Sequence, residues 1–169
     1  LYHMLYAELE KTEQLALYTD IELPLSGVLF EMEREGFTVD TAKLADFSRQ
    51  LDEMKGEYAS RIYMLAGREF NINSPKQLGT VLFEEMGFPA LKKTKSGYST
   101  GAEILEKLRP YSPIIDDILD YRQVDKLKST YADGLCKVAD ENGRVHTSFR
   151  QALTATGRLS STEPNLQNI

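Results

Sequence analysis

The sequence predicts a mainly α-helical protein with a small β appendage near its carboxyl end, built around an elongated, antiparallel helical hairpin. Apolar residues recur every three or four positions from Asp40 to about Ala66, which is typical of a long helix with one buried face. Two helix-start signatures follow, and an Asn-Gly turn at 142–143 precedes an alternating stretch. Helices therefore dominate the predicted fold, and short strands come last.

The first two predicted helices form the hairpin. Asp20 is the expected cap of the first helix, and Gly36 marks its end. Asp40 opens the second, which runs to about Ala66. Its apolar stripe consists of Leu44, Phe47, Leu51, Met54, Tyr58, Ile62 and Leu65. A long helix with one apolar face favours an antiparallel pair with the helix before it, although a helical interaction module has the same periodicity.

Two further helices begin at capping boxes, in which a Ser or Thr side chain caps the helix and a Gln or Glu lies three residues later. Ser74 is the first expected N-cap, with Pro75 at the first helical position and Gln77 completing the box. Thr100 and Glu103 repeat the arrangement. The sequence therefore predicts helices that start at each of these two sites.

The carboxyl-terminal third combines one more helix with a β segment. Ser112 and Pro113 begin a helix that is expected to run to about Leu135. The Asn142-Gly143 turn separates 137–139 from 145–152, and the second of these stretches alternates like a strand.

Bulk composition limits the possible functions. Hydrophobic residues make up 41% of the 169 residues, which is ordinary for a globular domain. No apolar run approaches the roughly 20 residues that span a bilayer, and no signal peptide is visible, so no membrane partner is expected. Cys136 is the single cysteine, which predicts no internal disulfide and a reducing cytosol.

Charge is distributed unevenly along the chain, whose net charge is −6. Residues 1–70 carry 7 basic and 14 acidic side chains, whereas residues 71–169 carry 13 and 12. Two stretches without any acid, 89–100 and 144–162, hold the clustered basic residues Lys92, Lys93, Lys95, Arg144, Arg150 and Arg158. Such local patches suit a phosphate backbone better than net charge suggests, although a solvated surface has the same composition.

Patterns for catalysis and metal binding are not supported. Gly87–Thr94 departs from a phosphate-binding loop because it has Lys where a second Gly is required and follows a helix instead of a strand. Asp116 and Asp120 are spaced to share a metal ion, but acids in a first helical turn more often serve the helix dipole. His3 and His146 are isolated, so no zinc site is expected.

The remaining candidate residues are ones that could bind a ligand. The two capped helix starts would point backbone N–H groups outward, an arrangement that suits phosphate. Arg122, Lys126 and Ser129 are four and three residues apart and are expected to share a helix face, with Tyr131 nearby. The alternative interpretation is that these residues are ordinary helix caps and a solvated helix face, which have the same composition. The candidates at the helix starts and in the loop between them are Asn73, Ser74, Lys76, Lys93, Thr94, Lys95, Ser99 and Thr100.

The last sixteen residues, Thr154–Ile169, are rich in side-chain donors and poor in core-forming residues. They and several earlier segments resemble, in the same order, segments of bacterial family A DNA polymerases. The segments are DIELPLSGVLFEMEREGF at 20–37, NINSPKQL at 71–78, KKTKSGYST at 92–100, YRQVDKLKSTY at 121–131, TATGRLSS at 154–161 and PNLQNI at 164–169.

The resemblance implies three parts and an incomplete enzyme. Residues 1–19 would be the tail of a preceding exonuclease-like domain, 20–136 the thumb, and 137–169 the first strands of the palm. The chain stops at Ile169 without a closing element, so it is expected to be a fragment. The family's metal-binding carboxylates and its nucleotide-binding helix lie downstream. The fragment is therefore expected to have no catalytic residue, metal or cofactor of its own and to be inactive.

The resemblance also implies partners. The chain would bind primer–template duplex DNA as a monomer on the cytoplasmic nucleoid, and the parent enzyme would use magnesium and deoxynucleoside triphosphates. The resemblance implies that Arg158 lies at the primer-terminal pair, where a guanidinium can bond the minor-groove acceptors that all four base pairs share. Its alternative is a salt bridge to Glu163. The other expected palm contacts are Ser160, Asn165, Gln167 and Asn168. The alternative function is a stand-alone helical DNA-binding or scaffold module.

Overall fold

The computed structural model describes residues 1–90, 93–94 and 97–167, most of which are helical. The α-helices are α1 (Tyr2–Lys11), α2 (Leu15–Leu17), α3 (Leu23–Glu35), α4 (Thr41–Ala66), α5 (Pro75–Gly79), α6 (Ala102–Leu108), α7 (Ile114–Lys126) and α8 (Asp133–Val138). Wider π-helical turns follow α2, α5 and α7 at Tyr18–Glu22, Thr80–Glu85 and Leu127–Ala132, and a 3₁₀ turn follows α6 at Arg109–Tyr111. The predicted mainly α fold is confirmed.

The strands are short and form antiparallel pairs. They are β1 (Phe37–Thr38), β2 (Lys93–Thr94), β3 (Gly97–Tyr98), β4 (Arg144–Val145), β5 (Ser148–Arg150) and β6 (Ser160–Thr162). Within the described residues, β1 pairs with β4, β2 with β3, and β5 with β6.

The chain packs as two compact units. The contiguous unit is Ala42–Gly134, and the two-segment unit joins Leu1–Thr41 to the residues from Leu135 onward. The first is therefore an insertion within the second. The predicted division into residues 1–19, 20–136 and 137–169 stays a prediction.

Apolar side chains from several helices build the core of the contiguous unit. The largest fully buried side chains there are Ile62, Ile72, Leu78, Val81, Leu82, Leu105, Leu108, Ile114, Ile115 and Ile118. The ring of Tyr98 on β3 packs 4.9 Å from that of Phe83, between centroids. A Cβ atom at Gly79 would lie 3.1 Å from the Cβ of Tyr98, so glycine permits the close approach of α5 to β3.

Helix α4 runs antiparallel to α7 and the turn that follows it. In order along α4, the polar contacts join Ser48 to Asp133, Asp52 to Lys128, Lys55 to Asp125, and Arg61 to Asp117. Between them, Leu51 packs with Val124 and Ala132. The antiparallel partner of α4 is therefore α7 and not the preceding helix, because α3 belongs to the two-segment unit. Periodicity shows which face of a helix is apolar and cannot show which helix covers it.

The apolar stripe of α4 is only partly covered. Leu51 and Ile62 are buried, whereas Phe47, Met54 and Leu65 are exposed. The predicted end of the helix is correct, because Gly67 follows Ala66 with a φ of +75°.

The helix before α4 begins differently from the expectation. Asp20 lies inside the π-helical turn that joins α2 to α3, so it does not cap a helix start. Gly36 does end α3, with a φ of 69° and its N–H bonded to the carbonyl oxygen of Met32. In α3 only Leu29 is buried. Within the described residues, no helix has the length and apolarity needed to cross a bilayer.

The predicted strand at 145–152 is divided between two sheets. Val145 faces Phe37 of β1, whereas Arg150 faces Ser160 of β6. The Asn142-Gly143 turn is present, but the segment before it, through Val138, is helix α8. The strands after the turn pair with residues far from them in sequence, which a turn signal alone cannot indicate.

Candidate nucleic-acid interface

The loop before α5 is the first of the predicted contact regions. The hydroxyl oxygen of Ser74 accepts the N–H of Gln77 at 3.4 Å, so Ser74 is the N-cap. The amide oxygen of Gln77 accepts the N–H of Asn71 at 2.8 Å, three residues before the N–H that a capping box would use. Lys76 is exposed and has no hydrogen-bond or ion-pair partner within the described chain. Its ammonium group is therefore available to a ligand.

Asn73 belongs to a polar cluster that the sequence did not indicate. Its Nδ2 donates to Asp125 Oδ2 at 2.8 Å, and Asp125 Oδ1 accepts a hydrogen bond from Lys55. This bond raises the pKa of the Lys55 ammonium above its usual range, against the opposing effect of burial. The ammonium nitrogen also lies 5.4 Å from the ring centroid of Tyr121. These residues are too far apart in sequence for spacing to connect them.

Thr100 and Arg122 bind each other. Thr100 is 4% exposed, and the guanidinium of Arg122 donates to its carbonyl oxygen and, at 3.4 Å, to its hydroxyl oxygen. Burial lowers the pKa of Arg122 below its usual range. The N-cap of α6 is Gly101, without a side-chain cap. The expectation that Thr100 caps this helix is therefore wrong, because its side chain turns inward to Arg122.

Lys126 and Ser129 are exposed, and Lys126 has no partner among the residues that the structure describes. Tyr131 is half-buried. The π-helical turn from Leu127 to Ala132 changes the angular step of the helix. The guanidinium of Arg122 is used on Thr100, and Ser129 lies in the π-helical turn that begins after Lys126. The expected single face of Arg122, Lys126 and Ser129 stays a prediction.

The loop between α5 and α6 contains a small hairpin. Lys93 faces Tyr98 and Thr94 faces Gly97 across the β2–β3 pair, although the side chains of Lys93 and Thr94 are not described. Ser99 is half-buried. Lys95 and Asn168, also predicted contacts, lie outside the described residues.

Arg158 is exposed in the polar segment near the carboxyl end. Its carbonyl oxygen accepts the Thr154 hydroxyl at 2.8 Å, which fixes the backbone beneath the side chain. Within the described ranges, the guanidinium has no ion-pair partner, so the alternative salt bridge to Glu163 is absent. Its donors are free to bind a ligand.

Gln167 is used within the protein. Its Nε2 donates to the carbonyl oxygen of Leu159 at 2.7 Å, and its Oε1 accepts the N–H of Ser161 at 3.2 Å. The amide thus extends β6 in the way that a neighbouring strand would. Ser160 lies between these two contacts and faces Arg150 across the sheet. Asn165 is exposed and accepts the N–H of Gln167 at 3.0 Å.

A buried pair of hydroxyl groups forms hydrogen bonds with the backbone of the polar segment near the carboxyl end. Thr147 and Ser161 are 3% and 0% exposed, and their hydroxyl oxygens lie 2.6 Å apart. The Thr147 hydroxyl oxygen is also 2.7 Å from the carbonyl oxygen of Pro164, and that of Ser161 accepts the N–H of Leu166 at 3.0 Å. These buried hydrogen bonds have no signal in the sequence, because Ser and Thr residues in a polar segment are usually exposed.

The basic residues of the acid-free stretch 144–162 have different environments. Arg144 donates to Glu35 at 2.6 Å and therefore joins β4 to the end of α3. Arg150 is exposed and has no hydrogen-bond or ion-pair partner in the described ranges. Its sequence signal is the acid-free stretch in which it lies, which predicts a basic patch but no role for this residue in particular.

Two of the acids of α7 pair with arginines. Asp117 accepts from Arg61 at 2.8 Å, and Asp116 pairs with Arg109. Within the described ranges, no three His, Cys, Asp or Glu side chains are grouped so that they could hold a metal ion. The expectation that this chain holds no metal ion of its own stays a prediction.

Comparisons with known proteins identify similar chains. The family model described as DNA polymerase family A matches residues 41–169. DNA polymerase I of Geobacillus stearothermophilus is 58% identical over 163 residues, which is 96% of this chain and 19% of that protein. DNA polymerase I of Bacillus subtilis (strain 168) is 54% identical over 166 residues, with 98% and 19% covered. The chain thus spans about a fifth of the length of these curated relatives.

A solved structure agrees with these sequence matches. The POL domain of Pol1 from M. smegmatis, in complex with DNA primer-template and dNTP, has a TM-score of 0.89 and 42% sequence identity to this chain. The match covers 98% of this chain and 29% of the other.

Proposed function

The chain belongs to DNA polymerase family A, and we propose that it is the part of such an enzyme that grips the primer–template duplex during template-directed DNA synthesis. The structural neighbour carries the proposal. Nearly the whole chain matches, at a TM-score of 0.89 and 42% identity, a polymerase domain that was solved with primer–template and dNTP. A stand-alone helical module is not favoured, because the similarity to polymerases extends through almost all of the sequence.

Two kinds of contact would contribute to the grip. Lys76 and Lys126 are exposed and unpaired within the described chain, so they suit phosphate contacts that do not depend on base sequence. Arg158 is also unpaired, and its planar donors suit the minor-groove acceptors at the primer end. Together, the two lysines and Arg158 would bind a duplex of any base sequence and still respond to the geometry of the base pair at the primer end.

The chemistry would belong to a longer enzyme. DNA synthesis by a polymerase uses two carboxylate-held metal ions near the primer 3′ oxygen, and the described residues offer no grouping that fits such a site. We propose that other parts of the enzyme supply magnesium and deoxynucleoside triphosphate binding. The enzyme would act as a monomer on the nucleoid in the cytoplasm, where its DNA substrate lies.

Equilibrium binding to labelled DNA tests the proposal. The chain is expected to bind a primer–template duplex weakly, with a Kd that rises with salt concentration and is equal for unrelated sequences. Duplexes of the same length and different sequence are the control for base readout. A salt-independent Kd, or a tenfold difference between sequences, would contradict the proposal and favour the stand-alone module.

A further inference from the structure

The acid on α7 that contacts the loop before α5 has an unexpected place in a DNA-binding unit. We infer that Asp125 is a positioning residue that holds Asn73, and with it this loop, in the arrangement that contacts DNA. The inference rests on the proposed duplex-binding function. It extends that function to a residue whose own charge repels DNA.

The geometry ties three elements together through one carboxylate. Asp125 Oδ2 accepts the Nδ2 of Asn73 at 2.8 Å, and Oδ1 accepts the ammonium of Lys55 on α4. The side chains of Lys55 and Asp125 are 28% and 24% exposed, so the pair is partly shielded from water. An ionised carboxylate has no proton to donate, so the nitrogen of the Asn73 amide must face it.

The side chain of Ile72 anchors the loop in the core, and the other polar contacts of Asn73 and Ser74 are local. The backbone N–H of Asn73 donates to the Asn71 side chain, and that of Ser74 donates to the Asn71 carbonyl oxygen, both at 3.0 Å. Asn73 uses one amide hydrogen on Asp125, which leaves the other for a phosphate oxygen. Asp125 is thus the polar contact that fixes the Asn73 side chain to α7.

The charge of Asp125 and its proposed positioning role predict opposite changes in the Kd for DNA when Asp125 is removed. A negative charge near DNA repels the phosphates, so electrostatics alone predicts tighter binding when the acid is removed. If Asp125 acts by holding Asn73, its removal releases the loop and weakens binding. The sign of the change in Kd therefore distinguishes the two roles.

Four variants of the chain make the test specific, each measured for Kd on a primer–template duplex at fixed low salt. Asp125→Ala is expected to raise Kd about two- to tenfold, the range that corresponds to one hydrogen bond. Asp125→Asn keeps an oxygen that can accept from Asn73, so its Kd should stay within about twofold of the parent value. Asn73→Ala should match Asp125→Ala, and the double variant should be no weaker than either single variant.

Asp120→Ala is the matched control. It removes the same charge from an exposed position of α7 that has no bond to the loop, so Kd should be unchanged or lower. Thermal unfolding of each variant checks that the chain remains folded. If Asp125→Ala does not fold, Asp125→Leu replaces it, because leucine has a similar volume and no hydrogen-bond acceptor. Positioning requires this variant to bind as weakly as Asn73→Ala, and parental binding would overturn the inference.

The outcomes separate the inference from the proposed function. If Lys126→Ala raises Kd but Asp125→Ala lowers it or leaves it unchanged, duplex binding stands and the positioning role is overturned. If the parent chain shows no salt-dependent binding, both are overturned. Weaker binding by Asp125→Ala, with near-parental binding by Asp125→Asn, supports the inference.

Discussion

The guanidinium of Arg122 donates to both the carbonyl oxygen and the hydroxyl oxygen of Thr100, 22 residues earlier in the chain. This contact assigns Arg122 a structural role in joining α7 to the start of α6. It also decides what a substitution there would change.

Arg122→Ala is expected to destabilise the chain by about 1–3 kcal/mol, because the buried acceptors of Thr100 lose their partner. Arg122→Lys should recover only part of this loss, since an ammonium cannot reproduce the fork of a guanidinium. Urea unfolding measures both. A variant as stable as the parent, but with weaker DNA binding, would show that Arg122 acts mainly as a DNA contact.

Lys126→Ala is expected to reduce the slope of log Kd against log salt by about 0.9, the value for one lost phosphate contact. Lys107→Ala provides the matched control, because Lys107 is an exposed lysine on α6 that is not a predicted contact. Titrations with the same duplex at several salt concentrations give both slopes. Equal changes for the two lysines would argue against a specific role for Lys126.

Arg158→Ala, made in the polymerase that contains this chain, is expected to cost about 1–3 kcal/mol in extension from matched primer ends. The cost should be smaller from mismatched ends, because the base-edge acceptors shift when the pair is wrong. Single-nucleotide extension from matched and mismatched primers measures the difference. Equal losses on both would leave Arg158 as a backbone contact.

The chain on its own is expected to incorporate no nucleotide on primed template with magnesium and all four triphosphates. The physical reason is the lack, in the described part, of grouped carboxylates that could hold the metal ions. Primer extension on a denaturing gel checks this, with a complete family A polymerase as the positive control. Template-dependent extension by a pure preparation would refute the expectation.

Asp140 is expected to make stability sensitive to acid. The N–H of Arg144, helped by that of Asn142, holds the pKa of the Asp140 carboxyl below its usual range. A lowered pKa in the folded state contributes stability above the unfolded value of about 3.9, and this contribution is lost as pH falls through the folded value. Melting temperatures between neutral and acid pH, compared with those of Asp140→Asn, measure the effect. The variant should depend less steeply on pH in the acid range.

Local signals in the sequence predicted local structure well. Ser74 caps α5, Gly36 ends α3 and Gly67 follows α4, because each depends on the conformation of a few neighbouring residues. The failures involve residues that meet across long distances in sequence. Thr100 has the composition of a cap, yet it turns to Arg122, which no local pattern indicates.

The candidate site divides in the same way. The unpaired charges of Lys76, Lys126 and Arg158 could be proposed from composition and family resemblance. The internal hydrogen bonds of Gln167 could not, since no local pattern connects its side chain to the backbone of Leu159 and Ser161. A polar side chain in a binding motif can therefore shape the site from within.

The insertion of the contiguous unit within the two-segment unit sets an order of events during synthesis on the ribosome. All the residues of Ala42–Gly134 emerge before β4, whose Val145 must return to Phe37 of β1. The contiguous unit can fold around its own core before the second segment of the two-segment unit has been synthesised. Until residues 144–145 have emerged, β1 therefore lacks its partner strand in the nascent chain.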